Sequence, residues 1–242
     1  MTDISKAIYE IRKIDELGDR DTIIHRIDSS IKIIITIIYI IKVLAMKQFI
    51  LSNVIWIILY PLILFVFGKV PLIFILKKVL FVLPIVIGLS LANLIIDFSY
   101  SEIYSSLLLL FKCSFSLVGS LLLIVTTGVN NLAIGLKKLK IPMILTMQIL
   151  MLYRYIIFMM EEFYRVKSAY ELRTLGEKSM TIKDYAQIIG KMLLKTIDRS
   201  EKVYESMQLR GFDGEIYIDS SKKIRSIDFL CLIIFVVSIF LL

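Results

Sequence analysis

Two stretches of this chain close on the same pair of residues, Leu172-Arg173 and Leu209-Arg210, the second followed at once by Gly211. Arginine carries a planar, permanently charged fork that pairs bidentately with a carboxylate, and it suits a groove on another protein better than lysine does. One arginine in the last turn of a helix also satisfies the negative end of the helix dipole. Two Leu-Arg endings 37 residues apart suggest more than that: two equivalent plugs for two equivalent sockets.

Other chemistry is thinly supplied. A phosphate-cradling loop needs G-x-x-x-x-G-K-[ST]; Gly176-Glu177-Lys178-Ser179 has no upstream glycine and puts a glutamate among the donors. Cobalt or nickel would want several converging His, Cys or carboxylate ligands. His25 is the single histidine and is expected at the surface of a helix start, while Cys113 and Cys231 lie in separate apolar blocks as small hydrophobes. No catalytic, cofactor-binding or metal site is expected. Glu161-Glu162-Phe163-Tyr164-Arg165 has the look of a paired-glutamate peptidase motif but lacks downstream histidines, so Glu161 and Arg165 are expected to form an i, i+4 helix pair.

Helices must position the two arginines. Ile182, Tyr185, Ile189, Leu193, Ile197, Ser200, Tyr204 and Met207 recur every three or four residues, one stripe down a helix that Thr181 would cap and Gly211 would end in a left-handed conformation. The segment before it, about 143–175, reads as a second long helix ending near Gly176.

The rest is membrane. Of 242 residues, 58% are apolar, and they come in blocks at 33–46, 49–67, 79–96, 106–125 and 227–242, most of them long enough to cross about 30 Å of hydrocarbon. Lys112 and Asp97 are placed toward the outer ends of their segments, so the ionisable midplane group of a self-sufficient secondary carrier is not seen. The first thirty residues lack the apolar run of a signal peptide. A net charge of +8 then reflects lysine- and arginine-rich cytoplasmic segments rather than nucleic-acid binding. By the positive-inside rule the N-terminus, a 68–78 link and everything from 128 to 225 face the cytoplasm. Residues 143–160, flanked by cations and interrupted by Gln148 and Arg154, are expected to lie shallow or tilted rather than pass straight through. The fold class is therefore an all-α integral membrane protein with about five transmembrane helices. Its divisions are a cytoplasmic segment 1–32, a four-helix bundle 33–127, a coupling region 128–225 holding two long helices, and a last span 226–242.

Four motifs carry a family resemblance. His25-Arg26-Ile27-Asp28-Ser29-Ser30-Ile31-Lys32 resembles an "H-R-x-D-P-R-x-K" lead-in to a first span. Thr126-Thr127 with Asn131-Leu132 and the 134–142 stretch resembles a "T-T-x-x-x-x-L…L-x-x-L-x-x-P" link. Tyr153-Arg154-Tyr155 with Glu161-Glu162 is similar to "Y-R-Y-x-x-x-x-x-x-E-E". Ser206-Met207-Gln208-Leu209-Arg210-Gly211-Phe212-Asp213-Gly214 is similar to an "A-R-G" motif continued by "F-D-G". These are motifs of the transmembrane T component of energy-coupling factor (ECF) transporters, of the cobalt-transport Q-type (CbiQ/EcfT family). The first "A-R-G" is reduced here to Leu172-Arg173-Thr174, and the second reads Leu-Arg-Gly.

The resemblance implies a prokaryotic cell-membrane subunit without an active site. Two cytoplasmic ABC-type ATPase subunits would each offer a groove to one coupling helix. Arg173 and Arg210 would occupy those grooves, flanked by Leu172, Leu209 and Gly211. The chain would relay ATPase motion to a small substrate-binding membrane (S) subunit for cobalt or nickel uptake, or, as a shared T component, for vitamins.

Overall fold

The computed structural model describes residues 3–18, 20, 22–49, 51–96, 100–173 and 181–214, and every regular element among them is a helix. In chain order these are α1 (Asp3–Gly18), α2 (Ile23–Arg26), α3 (Ser29–Ala45), α4 (Leu51–Gly68), α5 (Leu72–Ile96), α6 (Tyr100–Thr127), α7 (Val129–Lys138), α8 (Met143–Arg173) and α9 (Ile182–Leu209). The expected last span at 226–242 lies outside the described residues, as do Asp97, Gly176 and Cys231.

Leu72–Leu91, Ile103–Thr127 and Met143–Arg173 are long and apolar enough to cross a bilayer, with mean hydropathies of 2.5, 2.3 and 1.7; Asn53–Gly68 is a shorter apolar helix. The outward side chains agree. Ile73, Leu76, Leu80, Phe81, Ile85 and Leu89 all stand exposed along α5, an arrangement that water penalises and hydrocarbon does not. The chain is an all-α, multi-pass integral membrane protein.

Among the described residues, 14–141 form one compact unit, and those up to 13 join 142–214 in another. In the first unit α6 is the central post, with α3, α4 and α5 packed on it and α7 folded back against α3. Lipid supplies no hydrophobic drive between helices, so close packing and internal hydrogen bonds must hold them. Both are present. A Cβ on Gly119 would come within 2.6 Å of the Tyr39 ring, so the missing side chain admits the aromatic one. Pro61 has no N–H to return to the Ile57 carbonyl one turn earlier in α4, and the Tyr39 hydroxyl donates to that carbonyl instead, at 3.1 Å. Tyr60 and Thr36 join their hydroxyls beside it at 2.7 Å.

Three sequence expectations are corrected here. The 68–78 link is only 69–71, because α5 starts at Leu72 and takes Lys77 and Lys78 into its first turns. Lys78 lays its ammonium over the Phe74 ring one turn back, which makes the cation compatible with an apolar helix. Lys112 sits near the middle of α6 rather than toward its outer end. There its ammonium donates to the Leu44 carbonyl at 3.0 Å, serving the C-terminal end of the shorter α3. His25 is half-buried, not a surface residue. Its Nε2 meets the Leu17 carbonyl at 2.8 Å and must carry the proton, and its Nδ1 accepts from the Thr22 hydroxyl at 2.6 Å. Both ring nitrogens are thus taken up internally.

Candidate functional site

The helices that carry the two arginines begin and end where local chemistry dictates. Pro142 precedes the first turn of α8, where its missing N–H costs nothing. Thr181 caps α9 in a full capping box, with Asp184 accepting from the Thr181 backbone N–H at 2.9 Å. Those hydrogen bonds from the Thr181 side chain and backbone, then one from the Tyr170 hydroxyl, hold the Asp184 carboxyl below its ordinary range. At the far end Gly211 adopts a left-handed φ of 80°. The Phe212 N–H bonds to the Met207 carbonyl at 3.0 Å and the Gly211 N–H to the Gln208 carbonyl at 2.9 Å. This pair of bonds is a Schellman turn, and it closes α9 immediately after Leu209. Arg210 is the capping residue itself and Arg173 the last residue of α8.

Both tips are bare. Leu172 is 78% exposed and Leu209 89%. Arg173, Arg210 and Gly211 are exposed as well, and neither arginine has an acidic side chain in ion-pairing range among the described residues. Each tip thus places an exposed leucine beside an exposed guanidinium group.

Between α8 and α9 runs a cleft of about 290 Å³ lined by methionines and tyrosines, Met147, Met151, Tyr155 and Met159 facing Tyr204 and Met207. The apolar stripe read from the sequence supplies part of its wall, but the stripe is not buried: Ile182, Ile189, Leu193 and Ile197 stand exposed, and on α9 the buried apolar residue is Ile188. Periodicity gives the face, and nothing within the described chain covers it. Arg199 crosses the cleft with its guanidinium 3.6 Å from the centre of the Phe158 ring and 5.6 Å from that of Tyr155.

The glutamate doublet differs from expectation. Glu161 pairs with Arg12 of α1 at 2.9 Å rather than with Arg165. Arg165 instead meets Glu162 at 3.3 Å, one turn back, and Lys195 of α9 meets the other oxygen of the same Glu162 carboxylate. Glu162 is 5% exposed.

The other unit holds a second polar cluster that single residues did not foretell. Asp28 caps α3 through the Ser30 N–H at 2.9 Å and pairs with Lys138 of α7. The Ser30 hydroxyl donates to the Gly135 carbonyl at 3.1 Å, and the Lys32 ammonium to the Thr126 carbonyl at 3.0 Å. The sequence groups Asp28, Lys32 and Thr126 only as motif positions; in the fold the lead-in motif and the Thr-Thr link form one joint. Those contacts locate the two motifs in space, and the sequence comparisons decide what they belong to. A model of the cobalt transport protein family, CbiQ, matches residues 20–218.

The chain belongs to the CbiQ family. The chain is 30% identical over 138 residues to an uncharacterized protein, MJ1089, of Methanocaldococcus jannaschii, covering 56% of this chain and 51% of that one. It is 26% identical over 148 residues to the nickel permease LarQ of Lactiplantibacillus plantarum, covering 60% and 54%. The matched stretches thus span about half the length of these relatives. In this CbiQ-family chain the exposed Leu-Arg tips remain the candidate site.

Proposed function

We propose that this chain is the energy-coupling T component of an ECF-type transporter. Two cytoplasmic ATPases engage Arg173 and Arg210, one each, and their closure on ATP moves α8 and α9 as levers. A separate small membrane subunit holds the cargo, cobalt or nickel, against the exposed apolar face of the helix pair. In this reading the N-terminus and the coupling region face the cytoplasm of a prokaryotic cell, and α8 lies tilted rather than passing straight through the bilayer. The nickel permease among the relatives supports a metal cargo.

One observation carries the proposal: both long helices end on a Leu-Arg pair that the described residues leave uncovered. The double charge reversal Arg173→Glu/Arg210→Glu is expected to insert in the membrane normally, to lose co-purifying ATPase subunits and to abolish ATP-driven uptake. Retention of both ATPases and of uptake in that variant sinks the reading.

A further inference from the structure

Besides the Tyr170 hydroxyl on Asp184 near the start of α9, α8 and α9 meet over a stretch whose contacts are of mixed kind. Thr196 points its hydroxyl at the Met159 sulfur, 3.3 Å away. Arg199 stacks on Phe158. One turn further along α8, Glu162 receives Lys195. Stacking and thioether contacts slide at little cost, because every neighbouring register offers another apolar surface. The ion pair does not slide. A carboxylate 5% exposed that gives up Lys195 keeps only the exposed Arg165 as a counter-charge, so the pair prefers one arrangement of the two helices over its neighbours.

Geometry makes that preference matter. Glu162 lies eleven residues before Arg173, and Lys195 fifteen before Arg210. At 1.5 Å per residue the lever arms are about 16 and about 22 Å. A rotation of about 10° at the crossing therefore carries the tips by roughly 3 and 4 Å. Hydrogen bonds of a guanidinium fork tolerate a few tenths of an ångström. Two tips that must enter two sockets together need the angle held far more tightly than apolar contacts hold it.

We propose that Glu162 is the positioning residue of the helix pair: its carboxylate, gripped by Lys195, sets the angle between α8 and α9 and so the separation of Arg173 and Arg210. The consequence for transport rests on the reading of those arginines as ATPase contacts; the clamp itself can be read in the chain alone. Arg165 has a separate part. It holds the second carboxylate oxygen from within α8, so removing Lys195 leaves Glu162 charged and paired, and folding is not put at risk. Lys195, more than half exposed, can be replaced without opening a core.

The test uses the full chain in lipid nanodiscs, with Cys113→Ser and Cys231→Ser and spin labels on Leu172→Cys and Leu209→Cys, read by pulsed dipolar spectroscopy. The parent should give a narrow distance distribution, and Lys195→Arg the same one. Lys195→Met should shift or broaden it by about 3 Å or more. Glu162→Gln should do likewise, and Glu162→Gln/Lys195→Met no more than either single change, since both remove one interaction. A parental distribution in Lys195→Met overturns the proposal, as does a double variant whose effect is the sum of the two singles. The two readings separate cleanly. Altered distances in Lys195→Met, with ATPases still bound to Arg173→Glu/Arg210→Glu, keep the clamp and discard the docking; unmoved distances with ATPases lost do the reverse.

Discussion

Lys138, in the last turn of α7, closes an ion pair with Asp28, the residue that caps α3. The carboxylate is almost wholly buried, and it also accepts the Ser30 N–H. Burial alone would raise its pKa. The Lys138 hydrogen bond and charge, with the Ser30 N–H, outweigh that and leave the carboxyl below its ordinary value. One side chain thus ties the start of α3 to α7, across the joint where the family's lead-in and Thr-Thr motifs meet.

Replacing Asp28 by alanine should destabilise the unit formed by residues 14–141 by about 2 kcal/mol, through the lost cap and the stranded lysine. A carboxyl whose folded pKa is depressed stabilises the fold at pH values above its unfolded pKa of about 3.9, and loses that contribution as pH falls through the lower folded value. The gap in thermal stability between parent and Asp28→Ala should therefore stay constant from about pH 8 to 5 and shrink below about pH 4. A gap that widens on acidification would refute the assignment.

The same seam explains Gly135. A Cβ there would stand 2.8 Å from the Ser29 hydroxyl and 3.0 Å from the Ser29 carbonyl carbon, and backbone cannot step aside as a side-chain tip can. Gly135→Ala should cost about 1–3 kcal/mol. Gly88→Ala in α5, where a Cβ meets nothing within 4 Å, should cost nothing and is the control. Equal melting temperatures in detergent for the two variants would show that α7 does not pack as described.

What the sequence disclosed was local. Thr181 before the stripe and Gly211 after Leu209 are local signals, and both ends of α9 fall where those signals put them. The membrane class follows from the apolar blocks alone. The misread features required knowledge of a distant neighbour. Glu161 has Arg165 one turn away, yet Arg12, 149 residues earlier in the chain, takes it. Lys112 looks like a terminal cation until the short α3 ends beside it. The stripe on α9 announces a buried face, and only the fold reveals that the described residues leave the face open.

Gly211 offers a backbone test of the second tip. Its φ of 80° is left-handed, and the space around a Cβ there is empty, so a substitution pays only for conformation. Gly211→Ala should cost about 1 kcal/mol and fray the turn that sets Arg210, whereas Gly211→Asn, which tolerates that region, should cost less. Hydrogen exchange of the Phe212 amide, bonded to the Met207 carbonyl, should accelerate severalfold in the alanine variant and less in the asparagine one. Identical protection in all three would mean that the turn does not hold the tip.

Arginine-to-lysine changes ask whether the tips act as forks or merely as charges. Lysine keeps the charge and loses the planar pair of donors, forfeiting about 1.4 kcal/mol per site, a factor of about ten in affinity. Arg173→Lys and Arg210→Lys should each weaken ATPase binding to the nanodisc-embedded chain about tenfold. The sites lie at the ends of two different helices and share no partner, so the losses should add as free energies to about a hundredfold in the double variant. Titration of labelled ATPase decides the matter: lysine variants that bind like the parent would reduce the arginines to helix-dipole partners. One single variant that binds like the parent, with the double no weaker than the other single, would mean that one tip alone makes the contact.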